Sequence, residues 1–275
     1  MNQTSLMDKI RMSVSKKVEL ATNAPTKYLL RAVLATLMLS LATVISFLIA
    51  DVMQAFFLAV LPASDASASI AYNMAKIFYA LTFGWALIMI LFMNTELFTS
   101  NAMYFTSQVF GRTVKLRPAV RVLALCYIGN FIGAVLLALL FVYSGTFTSA
   151  NTDFATHVVL AKLAKDPMTI FLQGIIANMI INIAVVLVLQ LKDDIAKIIT
   201  ILGIVFIFAY LGVEHSIANF ASFSLVGLAT NFAHMPLSAI LTNLLFSTLG
   251  NIIGGGVVIG VTYTWLNKGN FKYKD

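Results

Sequence analysis

The chain has 275 residues, of which 60% are hydrophobic and 11% charged, with a formal net charge of +7. A water-soluble domain carries about a quarter charged residues, so the composition excludes an ordinary soluble globule and requires lipid to cover much of the surface. The excess of basic residues flanks apolar runs, a pattern that orients a membrane protein and gives no reason to expect a nucleic-acid partner.

The opening 27 residues are polar and carry Lys9, Arg11, Lys16 and Lys17 without a short apolar core leading to a small-residue cleavage site. They predict an amphipathic helix lying on the inner surface rather than a cleavable leader. A spanning helix takes about 20 apolar residues, and six such runs follow. They are Leu29 to Leu61, Ile77 to Phe110, Val120 to Tyr143, Met168 to Leu191, Ile198 to Leu228 and Leu237 to Leu266. The first is longer than a crossing needs, and the second and fifth are interrupted. The organisation expected is an N-terminal segment at 1–27, one membrane domain at 28–266 and a cytoplasmic tail at 267–275. The lone Cys126 lies in an apolar run and reads as a small packing residue, with no thiol partner for a disulfide or a metal site.

Fifteen of the eighteen basic residues precede or open span one, lie between spans two and three or at the opening of span three, lie between spans four and five, or fall in the tail. Only Lys76, Lys162 and Lys165 fall on the other side. The positive-inside rule then places both termini in the cytoplasm, which agrees with an even number of spans.

The two interruptions carry the polar residues. Span two breaks at Asn94–Asn101 and span five at Gly212–Asn219, and in each a Glu is followed five residues later by an Asn. Each break has a matching downstream element, Gly129-Asn130-Phe131-Ile132-Gly133 and Gly250-Asn251-Ile252-Ile253-Gly254. Glu96 to Asn130 is 34 residues and Glu214 to Asn251 is 37. Matched elements in the same order predict an internal duplication. A unit of three spans ends on the side opposite its start, so the second copy is inverted, and broken helices are tolerated where they are buried or line a wet cavity. The fold class expected is an all-α membrane protein of six transmembrane helices in two inverted three-helix repeats with broken second and fifth helices.

Glu214 and His215 fall at membrane depth, where an ionisable group marks a pathway or a paired structural site. Glu96 and Glu214 read either as ties for freed backbone amides or as pathway groups. His215 reads as a pathway group, because imidazole titrates near neutral pH and can donate a hydrogen bond or a proton to an anion. Thr99 is either a helix cap or a hydroxyl that holds the His215 ring. Asn130, Asn251 and Asn178 are either packing or pore-lining amides. Phe83, Leu87, Phe98 and Phe208 are candidates to narrow a path. His157 and His234 fall in outer loops and read as solvated. Lys162 and Lys165 are either an ordinary wet loop or an attraction for anions at the mouth.

The run Glu96-Leu97-Phe98-Thr99, the run Glu214-His215-Ser216-Ile217-Ala218-Asn219 and the run Gly250-Asn251-Ile252-Ile253-Gly254-Gly255-Gly256 resemble motifs of the formate/nitrite transporter family. The resemblance extends from about residue 25 to 266. It implies an aquaporin-like fold, a homopentamer with one pore per protomer, and a central histidine between two apolar constrictions. By position the histidine is His215 with Thr99 as its partner. Phe83 and Phe208 match the outer constriction, Leu87 and Leu97 the inner one, and Asn178 and Asn251 the polar groups near the centre. Lys162 matches a vestibule lysine, with Lys165 as the alternative.

The function expected is passage of a small monovalent anion, formate first, across a bacterial plasma membrane, with nitrite, hydrosulfide and lactate-type anions as alternatives. A bare anion crosses an apolar constriction at high cost, so proton coupling through His215 is one route and electropositive guidance another. No cofactor or metal is expected, and no enzymatic activity. A water or glycerol channel is disfavoured because paired Asn-Pro-Ala motifs are absent from the sequence. An intramembrane hydrolase using Ser216 or Ser100 with His215 is disfavoured because neighbouring residues do not face each other on a helix, and no Gly-x-Ser-x-Gly elbow is present.

Overall fold

The computed structural model describes residues 5–268, which are helical with no strand among them. Of the expected tail, 269–275, including Lys272 and Lys274, lies outside the described residues.

Helix α1 (Leu6–Asn23) begins at Ser5, whose hydroxyl accepts the Asp8 amide at 3.2 Å. It buries Leu6, Ile10, Val14 and Ala21 on one stripe. The stripe packs on the membrane helices, so α1 belongs to the body of the protein. Helix α2 (Pro25–Val60) starts with proline in its first turn. Its 36 residues span about 54 Å at 1.5 Å per residue, well beyond the hydrocarbon thickness.

Helix α3 (Asp65–Phe83) passes almost without interruption through Gly84, which keeps helical angles, into α4 (Trp85–Phe92). The second span therefore begins at Asp65, earlier than the Ile77 expected from apolarity. The Ala/Ser-rich start reads as polar, yet Ser64 caps it through the Ser67 amide and Ala71 and Ala75 are fully buried. Lys76 thus stands on a membrane helix and not in a loop.

After a non-helical link comes α5 (Phe98–Phe110), whose first eight residues are all buried. Helix α6 (Leu116–Tyr143) crosses back. The connection to the next span, expected as a loop, contains α7 (Asp153–Leu163), because Phe154, Ala155 and Val159 fold inward and Asp51 accepts the Phe154 amide at 3.1 Å. Helix α8 (Pro167–Gln190) is capped by Asp166, and α9 (Asp194–Leu211) by Asp193. Gly212 ends α9 at φ +67, a left-handed conformation that suits glycine. Helix α10 (Ser216–Ala229) is buried along most of its length. Helix α11 (Leu237–Asn251) continues through a π-helical stretch (Ile252–Val261) into α12 (Thr262–Leu266).

Six of these helical segments are long and apolar enough to cross a membrane, and the fold is that of an all-α membrane protein. Helices α2 and α6 pack closely, as do α8 and α11. The glycines explain why: a Cβ on Gly133 would collide with the Val33 carbonyl, and one on Gly254 with the Ile175 carbonyl. Small residues at these crossings let backbones approach and let asparagine amides reach across.

Candidate functional site

Two non-helical links, one before α5 and one before α10, are tied by the same bonds. In the first, Asn130 Oδ1 accepts the Phe98 amide at 2.9 Å, while its Nδ2 donates to the carbonyls of Ala32 (2.8 Å) and Glu96 (2.9 Å). In the second, Asn251 Oδ1 accepts the Ser216 amide at 2.8 Å, while its Nδ2 donates to the carbonyls of Gly174 (2.8 Å) and Glu214 (2.9 Å). An asparagine from a neighbouring helix thus satisfies groups that the links leave without ladder partners. Cys126, fully buried, also donates to the Glu96 carbonyl at 3.3 Å.

The two glutamates are matched in the same way. Glu96 accepts Asn101 Nδ2 at 2.9 Å, the Tyr28 hydroxyl at 3.1 Å and Lys17 Nζ at 2.6 Å, the last from α1. Glu214 accepts Asn219 Nδ2 at 2.7 Å and Asn243 Nδ2 at 3.2 Å, and pairs with Lys165 at 2.6 Å and Lys162 at 3.3 Å. Both carboxylates are buried with charged partners, the condition under which a buried ion is tolerated. Burial pulls the Lys162 ammonium below the usual lysine range and Lys165 pushes the same way, while Glu214 opposes them.

His215 is the N-cap of α10. Its Nδ1 accepts the Ala218 amide at 3.1 Å, so in the neutral ring the proton is on Nε2. The ring meets Phe208 edge-on, with centroids 5.6 Å apart. Nε2 is buried and has no partner among the described residues, and the same holds for the Thr99 hydroxyl. No hydrogen bond joins them. The expectation that Thr99 holds the imidazole is therefore corrected: the α10 backbone holds it, because an N-cap side chain turns back onto the first-turn amides.

Three cavities lie in series. The first, about 310 Å³, is lined by Tyr72, Lys76, Tyr79, Lys162, Lys165 and Phe208 among others, and is called here the lysine vestibule. The second is a chamber of about 20 Å³ lined by Leu39, Phe83, Ala86, Leu87, Ile90, Leu97, Ile181, Val205, Phe208, Ala218 and His215. The third, about 580 Å³, lies beside α1 and is lined by Lys16, Lys17, Arg31, Glu96 and Ser100 among others; it is called the α1 vestibule. The chamber shares Phe208 and Ala218 with the lysine vestibule, and Ile90 and Leu97 with the α1 vestibule. Among the described residues, His215 is the one polar side chain lining the chamber.

This geometry brings His215, Phe83, Leu87, Leu97 and Phe208 to one chamber and sets Lys162 and Lys165 in one vestibule. Phe98 lines none of the three cavities and packs edge-on to Tyr127 at 4.9 Å, so it is corrected from constriction to packing. Asn178 donates to the carbonyls of Thr99 (3.0 Å) and Asn251 (2.6 Å), and lines none of them either; the same is true of Asn251 and Glu214. These three hold backbone or lysine instead. Sequence reasoning missed Leu39, Ile90, Ile181 and Val205, which look like any other span residue, and Asn243, whose signal was a polar residue inside an apolar run. It also missed Tyr28 and Lys17 as partners of Glu96. Ser216 Oγ hydrogen-bonds Asn251 Oδ1 at 3.1 Å and not His215, so no Ser216–His215 pair forms.

Residues 4–265 match the family model described as Formate/nitrite transporter. The chain belongs to that family. Among its relatives, the Uncharacterized transporter YwcJ of Bacillus subtilis (strain 168) is 29% identical over 96% of this chain and 98% of its own length. The Nitrite transporter NirC of Escherichia coli (strain K12) is 32% identical over 66% of this chain and 68% of its own. A solved structure described as an FNT family ion channel superposes with a TM-score of 0.84 at 25% identity, covering 96% of this chain and 99% of that one. A pentameric formate channel with formate bound shares the fold, with a TM-score of 0.67 at 23% identity, over 90% of this chain and 98% of that one. The chain is a multi-pass membrane protein of a family of transporters and channels.

Proposed function

We propose that this protein passes a small monovalent anion, formate first and nitrite second, through the lysine vestibule, the His215 chamber and the α1 vestibule. The observation that carries the reading is the chamber itself: a small apolar space with His215 as its one polar side chain. Its volume of about 20 Å³ is on the scale of one or two water-sized occupants. That supports formate, nitrite or hydrosulfide over a lactate-type anion.

Phe83 and Phe208 close the chamber toward the lysines, and Leu97 with Leu87 and Ile90 toward α1. Their apolar surfaces disfavour a bare charge. His215 offers Nε2–H to the anion while Nδ1 stays on the Ala218 amide. Imidazolium forms only if Nδ1 lets that amide go, and the charge of an arriving anion offsets the cost. The imidazolium, which takes its second proton on Nδ1 from water reaching a vestibule, passes the Nε2 proton to the anion, giving the neutral acid and a neutral ring protonated on Nδ1. The neutral acid crosses the remaining apolar residues more readily. The N-terminus of α10 adds a partial positive charge, although the Ser216 and Ala218 amides are already bonded. Thr99 is fully buried and lines none of the three cavities, so the polar contact to the anion falls to His215 alone.

The assembly fitting this reading is a homopentamer in a bacterial plasma membrane with one pathway per protomer and both termini in the cytoplasm. The matched ties at Asn130 and Asn251 support two inverted halves. The test is flux into proteoliposomes with formate, nitrite, hydrosulfide and lactate side by side. Formate or nitrite flux well above lactate is expected, and lactate flux equal to both would overturn the size argument.

A further inference from the structure

The three lysines that the sequence assigns to one side come from separate places, Lys76 on α3, Lys162 on α7 and Lys165 just after it. All three line the lysine vestibule. They are not equivalent there. Glu214 pairs with Lys162 and Lys165. Lys162 also donates to the Val213 carbonyl at 3.1 Å, and Lys165 donates to Gln173 at 2.7 Å and to the Gly212 carbonyl at 3.4 Å. Their donors serve the break before α10.

Lys76 has no carboxylate and no hydrogen-bond acceptor among the described residues. Its Nζ lies 5.3 Å from the centroid of the Tyr210 ring and close to the turn at Gly212. A cation over an aromatic face is held in place without using up its N–H groups. Asp51, a further acid that touches a vestibule-lining residue, is engaged by the Phe154 amide and does not line the cavity. Lys162 and Lys165 share the one Glu214 carboxylate, so positive charge is in excess, and the aromatic walls, Phe47, Tyr72, Tyr79, Phe154 and Phe208, are a low-polarity surround in which that charge acts more strongly than in open water.

We propose that Lys76, whose ammonium has no carboxylate or hydrogen-bond acceptor among the described residues, is an anion-capture residue of the lysine vestibule. Its ammonium binds a small monovalent anion above the Phe83/Phe208 closure, with Tyr210 as the residue that positions it. The proposal rests on the anion-transport reading and adds to it a substrate-contacting residue on one side only.

The test uses the full-length protein in right-side-out and inside-out vesicles, with formate and nitrite as the probes. Lys76→Gln should raise the half-saturation concentration for entry from the lysine-vestibule side about threefold to tenfold, leaving the maximal rate and entry from the α1 side near wild type. Lys76→Arg should restore it. Lys76→Cys allows a charge test, since the native Cys126 is fully buried. A thiosulfonate reagent adding an ethylammonium group should recover affinity, and one adding an ethylsulfonate group should lower it further. A purely structural role would not depend on the sign of the added charge. If wild-type protein transports but Lys76→Gln leaves the half-saturation unchanged, or both reagents act alike, the capture role is overturned while the transport reading stands. If wild-type protein moves no anion from either side, the transport reading fails and takes this proposal with it.

Discussion

Asn251 accepts the Ser216 amide at 2.8 Å and returns a hydrogen bond to the Glu214 carbonyl at 2.9 Å, closing the link before α10 from both ends. Asn130 does the same for Phe98 and Glu96. Replacing either Asn by Ala leaves a buried amide and two buried carbonyls short of a partner. Each unpaired group costs about 1–3 kcal/mol. Both variants should lower the melting temperature of the detergent-solubilised protein by comparable amounts, read by fluorescence-detected size exclusion after heating. Wild-type melting for Asn251→Ala would show that the link holds itself.

The Glu214 cluster predicts asymmetry between single and paired changes. Lys165→Met strands much of a buried carboxylate, a change that costs about 3–5 kcal/mol when a buried pair is broken. The double variant Lys165→Met with Glu214→Gln should recover part of that loss, because a neutral amide still accepts from Asn243 or Asn219. Thermal stability of the four-member cycle measures it. A double variant no better than Lys165→Met alone would mean the pair is not the unit that matters.

On the other side, Lys17 ties α1 to Glu96 at 2.6 Å, and Lys9 donates to the Leu189 carbonyl near the end of α8 at 2.5 Å. Lys17→Gln should loosen α1, seen as faster amide hydrogen exchange across residues 6–23 with exchange in α6 unchanged. Equal protection in both proteins would assign the docking of α1 to its apolar stripe alone.

The six-span arrangement predicts that single cysteines at Ala63, between α2 and α3, and at Thr113, between α5 and α6, label from opposite faces of the membrane. Both positions are exposed, whereas Ser67 is buried in the cap of α3. Labelling of both by an impermeant reagent from one face would contradict the arrangement.

Much of this was readable in the amino-acid order because membrane burial leaves a strong mark. Long apolar runs located the spans, except for the Ala/Ser-rich start of the second at Asp65, and the repeated Glu…Asn pattern located both links, since only buried, tied backbone tolerates such polarity at depth. What stayed hidden depended on three-dimensional partners. Asn251 and Asn178 have the composition of pore residues, yet their amides point at backbone carbonyls. Phe98 follows Leu97 directly, but as the first residue of α5 it turns to Tyr127 while Leu97 lines the chamber. The His215 ring could have been held by a hydroxyl or by its own helix, and spacing alone does not choose between them. Lys76 looked like a loop residue because small, polar Ala/Ser helices lack an apolar signal.

The central claim is that His215 handles the anion's charge in the chamber. Formate and nitrite uptake into proteoliposomes, followed from acidic to neutral pH, tests it directly for His215→Asn, which retains a hydrogen-bond donor and loses titration. The account predicts altered pH dependence with an unchanged size-exclusion profile, near-wild-type behaviour for Thr99→Val, whose hydroxyl neither holds the ring nor lines a cavity, and a severe loss of flux for His215→Phe. Wild-type flux and wild-type pH dependence in His215→Asn for both anions would contradict it.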